Sequence, residues 1–328
     1  INVFIILRLI ISFKKINFFN YVIEYISYCN PKIIVCGNDN LLWLYKIKKE
    51  ISKVKLICAQ NGFRNLLFFE ELKKNKNLSI DYIFTFNNSF SKLYKKRVNC
   101  KTIKLGSLKN NSVNISRKFK KSGILFISQG YPKDNRDFNW YGSYSLSKKI
   151  FYHQDVELLK NLLRYCNLFK LKLNFLTKNT GKEGLREIEF YKKFVRAKNL
   201  NFLNKNSNDD IIGSYQIYRI ADKSLLTIST SSTFGLENLA RGNKTVIVNN
   251  KKKITKNILD IFWNYKVSSN GIFWTNINNY QVLEKIINKN LNFAYKVWKQ
   301  KTFKIRNELM DYDKNNSKIV DLIRYLSK

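Results

Sequence analysis

Short apolar runs recur along the first third of the chain and alternate with amphipathic stretches. The runs read PKIIVCGNDN (31–40), VKLICAQNG (54–62), DYIFTFNN (81–88) and CKTIKLGS (100–107). Each ends in Gly, Asn or Ser, residues typical of the loop that follows a strand. The stretches between them, such as LLWLYKIKKEIS, carry apolar residues at helical spacing. Strands that alternate with short helices predict βαβ units and a mostly parallel sheet.

The same alternation begins again after a polar stretch at 109–122. Further strands are predicted at SGILFISQG (122–130), KLNFLTKN (172–179), NLNFL (199–203), LLTIST (225–230) and KTVIVN (244–249). Amphipathic helices are predicted between them, for example from Asp155 to Cys166. We therefore predict an α/β fold with two domains, 1–115 and 116–300, and a helical segment at 301–328 that packs across both.

The chain opens with INVFIILRLIISF, an apolar stretch that Arg8 interrupts. It is too short to span a bilayer, so we expect a buried strand or helix. Because the chain begins at Ile1 rather than Met, we expect part of a first strand to lie outside this sequence.

Sixty Lys and Arg residues outnumber 23 Asp and Glu, which gives a formal charge of +37. Such a charge attracts polyanions, whether nucleic acid, an anionic lipid surface or nucleotide phosphates. The chain is also rich in Asn, Ile, Phe and Tyr, a bias that AT-rich codon usage produces in any protein. We favour this compositional explanation over nucleic-acid binding, because charge alone gives only nonspecific attraction and no nucleic-acid motif accompanies it.

Five cysteines are present, without C-x-x-C spacing. Cys36 and Cys58 lie inside predicted strands, so we expect buried free thiols and a reducing, cytoplasmic compartment.

Five consecutive hydroxyl residues, Ser229 to Thr233, join a predicted strand to the helix FGLENLARG. The free N–H groups and the dipole at a helix N-terminus favour phosphate, and hydroxyl side chains add donors. Glu237, one turn into the helix, is placed to accept hydrogen bonds from ribose hydroxyls. Helix capping explains one hydroxyl but not five, so we favour phosphate binding over capping alone.

This segment, TISTSSTFGLENLARGNKTVIV, resembles the donor-site segment of GT-B glycosyltransferases of bacterial surface-carbohydrate biosynthesis. Further stretches resemble the same family in the same order: CGNDN, CAQNGFR, LGSLKNN, ILFISQ, GIFWTN and DYDKNN. The resemblance implies two Rossmann-like domains with a cleft between them, in which the C-terminal domain holds the donor nucleotide and the N-terminal domain holds the acceptor. It also implies that a Gly-rich loop after the first strand lies outside this sequence.

The resemblance assigns donor contacts to six positions of the hydroxyl segment: Ser229, Ser231, Ser232, Thr233, Gly235 and Glu237. It implies a nucleotide-sugar substrate, no resident cofactor and no catalytic metal, since the helix dipole and basic side chains stabilise the leaving phosphate.

Asp39 follows a predicted strand, at the sheet edge where open α/β folds bind ligands. A transfer that inverts the anomeric centre needs a carboxylate to take the acceptor proton, and Asp39 is our candidate for this base. An N-cap for the following helix explains Asp39 equally well.

Six other side chains are candidates for the same two sites. Gln60, Asn61 and Arg64 end the next strand and are predicted to bind the acceptor, with a turn as the alternative at Asn61. Ser128 and Gln129 close the first strand of the second domain, and Lys178 follows the next strand; we predict that these three contact the donor. A solvated loop explains Lys178 equally well.

Three weaker candidates complete the survey. Glu183 and Glu187 form an alternative pair of carboxylates for the base. Trp274 is a candidate contact for the nucleotide base, although aromatic residues more often belong to the core.

The predicted function is metal-independent, inverting transfer of a sugar from a nucleotide-sugar donor to a surface glycan or a lipid-linked glycan. The compartment is the cytoplasm, with peripheral contact at the anionic inner membrane. The alternatives are a nucleotide-sugar epimerase or hydrolase on the same scaffold, and a basic nucleic-acid-binding protein.

Overall fold

A computed structural model describes the chain except for residues 65, 116–119, 135–136, 141–143, 206–212, 231 and 251–269. The chain divides into two compact units. Unit 1 contains Ile1–Gly62, Phe68–Leu108 and Asp313–Lys328, and unit 2 contains Phe63–Leu67 and Lys109–Tyr312.

Unit 1 is built on a four-stranded parallel sheet with the strand order β1-β2-β3-β4. Its elements are α1 (Val3–Ile11), α2 (Phe18–Cys29), β1 (Ile33–Cys36), α3 (Leu42–Ile47), β2 (Lys55–Ala59), α4 (Leu66–Lys74), β3 (Ser79–Thr85), α5 (Asn88–Lys95) and β4 (Asn99–Lys104). The last helix of the chain, Ser317–Ser327, also belongs to unit 1 and packs on this sheet through Ile319. Parallel strands are covered on both faces, which explains why β2 and β3 are apolar over most of their length.

Unit 2 contains a six-stranded, all-parallel sheet and a short hairpin. Its elements are α6 (Leu108–Asn111), β5 (Ile124–Ile127), β6 (Phe138–Trp140), β7 (Tyr144–Leu146), α7 (Lys148–Leu168), β8 (Leu173–Thr180), α8 (Gly181–Lys192), β9 (Leu200–Lys205), α9 (Gly213–Lys223), β10 (Leu226–Ser229), α10 (Thr233–Ala240), β11 (Thr245–Val248), β12 (Trp274–Thr275), α11 (Tyr280–Asn292) and α12 (Tyr295–Leu309). The final helix of unit 1 is α13.

The strand order in the large sheet is β12-β11-β10-β5-β8-β9. From β5 the chain runs outward through β8 to β9, and it then returns to the other side of β5 with β10. This is the Rossmann order, and the direction of winding reverses between β5 and β10. Ile127 and Ser229 are register partners at the carboxyl ends of these two strands. A ligand of an open α/β sheet binds beside such a reversal point.

The core of unit 2 explains why these segments form strands. Every residue of β5, β10 and β11 is buried. One face of the sheet packs against α7 and α11, for example through Phe126 and Ile228, and the other face contacts Tyr218 and Phe234.

The predicted α/β fold with two Rossmann-like sheets and a helical C-terminal region is confirmed, and each strand predicted from an apolar run is present. The opening segment is a helix, α1, but it is mostly not buried. Ile5 and Leu9 are buried one turn apart, whereas Phe4, Leu7 and Ile11 are half or more exposed. The pattern of apolar residues does not predict α2 or the β6–β7 hairpin. None of the described helices is both long enough and apolar enough to cross a bilayer.

Candidate functional site

The hydroxyl run lies at the carboxyl end of β10, beside the reversal point of the sheet. Ser232 caps α10 by accepting the Phe234 N–H at 3.3 Å. Thr233 Oγ1 accepts the backbone N–H of Phe63 at 3.2 Å, a contact within unit 2. Ser231 lies outside the described residues.

Ser229 and Thr230 differ from these two capping residues. Both are 1% exposed, and their hydroxyl oxygens have no hydrogen-bond partner among the described residues. A buried hydroxyl without a partner costs about 1–3 kcal/mol. Such groups at the sheet edge where open α/β folds bind ligands make this segment a candidate ligand site.

Gly235 lets the first turn of α10 approach β10 closely. A Cβ atom at this position would lie 2.3 Å from Ser229 Oγ, well inside van der Waals contact. Two positions further along α10, Glu237 is 7% exposed and accepts a hydrogen bond from the Tyr218 hydroxyl at 2.8 Å.

We expect Gly235→Ala to destabilise the protein by about 1–3 kcal/mol, because the added methyl group forces Ser229 or α10 to move. The measurement is the thermal unfolding transition of the whole protein. Gly37→Ala is the matched control, since a Cβ atom at Gly37 has no neighbour within 4 Å. Equal stability of the two variants would contradict the close packing at Gly235.

The loop after β5 brings polar groups to the same sheet edge. Ser128 is buried, and its Oγ accepts the Gly130 N–H at 3.0 Å. The Tyr191 hydroxyl donates to the Gly130 carbonyl at 3.0 Å, and Gly130 has a φ of 101°, which a side chain would disfavour. The turn after Gln129 is therefore held from two sides.

A cavity of about 210 Å³ lies in front of the loops that follow β5 and β8. Its lining contains three lysines and one carboxylate, and the full set is Gln129, Gly130, Tyr131, Lys133, Asp134, Lys148, Tyr152, Lys178 and Asn179. Lys148 pairs with Asp134 at 2.6 Å, and Lys133 pairs with Glu183 at 3.0 Å. The three lysines outnumber the two paired carboxylates, and this excess of positive charge favours an anionic ligand.

Lys178 is accessible to solvent and yet surrounded by protein, as expected for a side chain in a concave site. Desolvation lowers the pKa of its ammonium group, and the carboxylates of Glu187 and Asp155 act in the opposite direction. An anionic ligand would relieve this desolvation cost.

Glu187 holds the loop that carries Lys178. It is fully buried, and it accepts the backbone N–H groups of Lys178 and Asn179 at 3.0 and 3.1 Å and the Asn179 side-chain amide at 2.7 Å. Its contacts are those of a residue that positions the loop. Glu183 lies on the surface, where hydrogen bonds from Lys133 and Tyr131 lower its pKa to about 2.

The candidate residues of unit 1 cluster at the carboxyl ends of its strands. Asp39 has no exposed surface; its Oδ1 accepts the Asn61 N–H at 3.0 Å, and its Oδ2 accepts the Tyr94 hydroxyl. Gln60 is buried and joins two loops, because Oε1 accepts the Phe86 N–H and Nε2 donates to the Gly62 carbonyl, both at 3.0 Å.

The remaining unit 1 candidate is accessible. Asn61 is exposed and donates to Asn38 Oδ1 at 3.0 Å. Arg64 is half-buried and belongs to the short segment assigned to unit 2. Asp39 and Gln60 thus position the loop that presents Asn61, and the catalytic role of Asp39 stays a prediction.

The pattern of strand ends does not predict four residues of the cavity, Tyr131, Lys133, Lys148 and Tyr152. The signal was the stretch GYPKDNRD directly after the β5 strand, but one lysine among sixty Lys and Arg residues does not stand out. Trp274 is 7% exposed and packs edge-on against Phe273 in the core. Among the described residues, no three His, Cys, Asp or Glu side chains group to hold a metal ion.

Solved structures with a similar fold include three proteins that share only 12–14% sequence identity with this chain. MnaA of Staphylococcus aureus, solved with UDP, has a TM-score of 0.54 at 12% identity, with 94% of this chain and 77% of MnaA covered. The UDP-GlcNAc 2-epimerase of Methanocaldococcus jannaschii, solved with UDP-GlcNAc and UDP, has a TM-score of 0.52 at 12% identity, with 94% and 79% covered. The wall teichoic acid polymerase TagF, solved with CDPG, has a TM-score of 0.51 at 14% identity, with 93% and 75% covered.

At these identities the likeness concerns the fold, and it confirms the GT-B type of α/β fold that the sequence predicts. No curated protein matched the sequence. A family model matches residues 57–327, which is most of the chain. The chain therefore belongs to the family described as "putative O-antigen biosynthesis protein".

Proposed function

We propose that the protein is a glycosyltransferase that moves a sugar from a nucleotide-sugar donor to a surface-glycan acceptor. Membership of an O-antigen biosynthesis family supports the surface-glycan acceptor. The fold is shared with proteins solved with UDP, UDP-GlcNAc and CDPG, which supports a nucleotide-linked donor.

The observation that carries the proposal is the chemistry of one sheet edge in unit 2. Three lysines surround a cavity beside β5 and β8. Two buried hydroxyls end β10 and begin the following loop, and neither has a hydrogen-bond partner within the described ranges. The N-terminus of α10 follows directly, and its dipole favours phosphate. In this proposal the donor phosphates bind along this edge, and Glu237 accepts hydrogen bonds from the ribose.

The same groups would assist the reaction. Negative charge builds on the phosphate oxygen as the bond to the sugar breaks, and fixed positive groups stabilise that charge in the transition state. Lys178 and the α10 N-terminus are the fixed positive groups of this proposal. Glu187 holds the loop that carries Lys178, because it accepts the backbone N–H groups of Lys178 and Asn179. The proposed mechanism therefore relies on the chain's own cations rather than on a resident metal or cofactor.

The acceptor side of the proposal rests on unit 1. Asn61 is exposed for contact with a glycan or a lipid-linked glycan, and Arg64 is a further candidate contact. Asp39 stays the candidate base of an inverting transfer, with the added task of holding the Asn61 backbone. Peripheral contact with an anionic membrane stays a prediction.

A nucleotide-sugar epimerase or hydrolase is the second candidate, because one of the structures with this fold is a UDP-GlcNAc 2-epimerase. The discriminating experiment incubates the protein with UDP-, CDP- and CMP-sugars, with and without lipid-linked glycans extracted from bacterial membranes. A transferase releases nucleotide only when the extract is present. Conversion or hydrolysis of a nucleotide-sugar in the absence of extract would instead establish the second candidate.

A further inference from the structure

Two cysteines stand side by side in unit 1. Cys36 ends β1 and is the register partner of Cys58 in the neighbouring parallel strand β2. Register partners on neighbouring strands project from the same face of the sheet, and neighbouring strands lie about 4.8 Å apart. This spacing is within the range of Cα separations that a disulfide spans, about 4.4–6.8 Å.

The two thiols differ in their access to solvent. Cys58 has no exposed surface, whereas Cys36 is partly exposed and lines an apolar cavity of about 330 Å³. Cys29, which is exposed, lines the same cavity. A small reagent that enters the cavity therefore reaches Cys36 directly, whereas Cys58 is shielded from it.

The contact between the thiols also activates one of them. A hydrogen bond from Cys58 lowers the pKa of Cys36 to about 6, although burial and the Asp39 carboxylate act in the opposite direction. Burial raises the pKa of Cys100 to about 11 and that of Cys166 to about 12. Since the thiolate is the reactive form, Cys36 is more ionised at neutral pH than either of these thiols.

We propose that Cys36 and Cys58 form an oxidation-sensitive pair, in which Cys36 reacts with peroxide and Cys58 resolves the product into a disulfide that joins β1 to β2. All five cysteines are free thiols in the structure, which represents the reduced form of the pair. This site does not depend on the proposed glycosyltransferase activity.

The chemistry balances with hydrogen peroxide as the oxidant. The Cys36 thiolate attacks one peroxide oxygen, the O–O bond breaks, and the products are Cys36 sulfenic acid and hydroxide, which takes a proton to become water. The Cys58 sulfur then attacks the Cys36 sulfur, and the S–O bond breaks. The departing hydroxide combines with the Cys58 proton as a second water. Two thiols are oxidised to one disulfide, and one peroxide is reduced to two waters.

The location of the pair gives the oxidation a structural consequence. Gly37, Asn38 and Asp39 follow Cys36 directly, and Asp39 holds the backbone of Asn61. A disulfide at the base of this loop would change the position of Cys36 relative to Cys58, and thereby the loop that Asp39 organises.

The first test is the rate of alkylation by iodoacetamide at pH 6, followed by peptide mass mapping. At this pH a thiol of pKa about 6 is half ionised, against about 0.3% for a thiol of ordinary pKa, about 8.5. Its lower intrinsic nucleophilicity offsets about tenfold of that advantage, so we expect Cys36 of the folded protein to react roughly tenfold faster than Cys36 of the protein unfolded in denaturant. Reaction in the folded protein at an equal or lower rate would overturn the activation of Cys36.

The second test treats the full-length protein with hydrogen peroxide and maps its disulfides. We expect a Cys36–Cys58 linkage in the wild type and in Cys166→Ser, which removes a buried thiol elsewhere. In Cys58→Ser we expect Cys36 sulfenic acid, trapped by dimedone, and no disulfide at Cys36. A Cys29–Cys36 linkage, or no disulfide in the wild type, would overturn the pairing whether or not the variants fold.

Discussion

Asp222→Asn is expected to destabilise unit 2 by about 3–5 kcal/mol, the usual cost of removing one partner from a buried ion pair. Asp222 and Arg241 are 1% and 0% exposed at their side chains, and the carboxylate oxygen lies 2.8 Å from Arg241 Nη2. Asparagine has nearly the same shape, so the variant removes the charge while it retains the volume. The guanidinium of Arg241 then stays buried without an opposite charge.

Arg241 also donates hydrogen bonds to the segment 110–114 of unit 2. It donates to Asn110 Oδ1 at 3.3 Å and to the carbonyls of Val113 and Asn114 at 2.9 and 3.2 Å, and its guanidinium lies 5.0 Å from the centre of the Tyr218 ring. A disturbance at Asp222 therefore reaches several neighbouring elements, which places the expected loss in the upper part of the range for single substitutions.

The measurement is the thermal unfolding transition of the whole protein, followed by differential scanning calorimetry. We expect that transition to fall by about 10 °C in Asp222→Asn. Asp321→Asn is the matched control, because Asp321 is 71% exposed and its partner Arg324 is 76% exposed, and such pairs contribute little. A loss in Asp222→Asn no larger than in the control would mean that the buried pair adds nothing to stability.

Lys178→Gln is expected to weaken nucleotide binding about 10- to 100-fold, with the stability of the protein nearly unchanged. Hydrogen bonds to charged groups contribute about 1.5–3 kcal/mol, and each 1.4 kcal/mol is tenfold in affinity. Glutamine keeps a polar side chain at the cavity but removes the cation. Because the Lys178 side chain is accessible to solvent, we expect its charge to contribute little to the stability of the fold.

Isothermal titration with CMP, UDP, CDP, GDP and ADP measures this effect in wild type and variant. Lys172→Gln provides the control, since Lys172 is an exposed lysine just before β8, at the other end of that strand from Lys178. An unchanged dissociation constant in Lys178→Gln, or an equal loss in the control, would remove Lys178 from the binding site.

The sequence predicts the fold well because the signal is local. The buried strands β5, β10 and β11 are continuous apolar runs with turn residues at their ends, and a parallel sheet buries both faces of such runs. Segments with weaker signals are not predicted: β6 and β7 have three residues each. The opening segment is predicted to be buried, but α1 has an exposed face whose apolar composition is that of a core segment.

The site is only partly predictable, because its residues come together through strand order. Ser128, Gln129 and Lys178 were predicted at strand ends, and Gln129 and Lys178 do line one cavity. Lys133 and Lys148 also line this cavity. A loop carries Lys133 and the start of α7 carries Lys148, and no spacing in the sequence indicates that the two lysines meet. Asp39 and Gln60 have the sequence position of ligand-binding residues, but their partners are backbone groups and Tyr94.

The hydroxyl run is only partly explained by capping. Ser232 and Thr233 accept backbone N–H groups, which agrees with capping and loop attachment. Ser229 and Thr230 are buried, and capping does not explain why their hydroxyls have no hydrogen-bond partner in the part of the chain that the structure describes. Phosphate binding by the run stays a prediction.

The central claim is that the donor nucleotide binds at the β5 and β10 edge of unit 2. Hydrogen–deuterium exchange, measured with and without CMP, UDP, CDP, GDP or ADP, tests it most directly. We predict that at least one of these nucleotides slows exchange in peptides that cover 126–134 and 226–240. Protection confined to other regions, or no protection by any of the five, would contradict the claim.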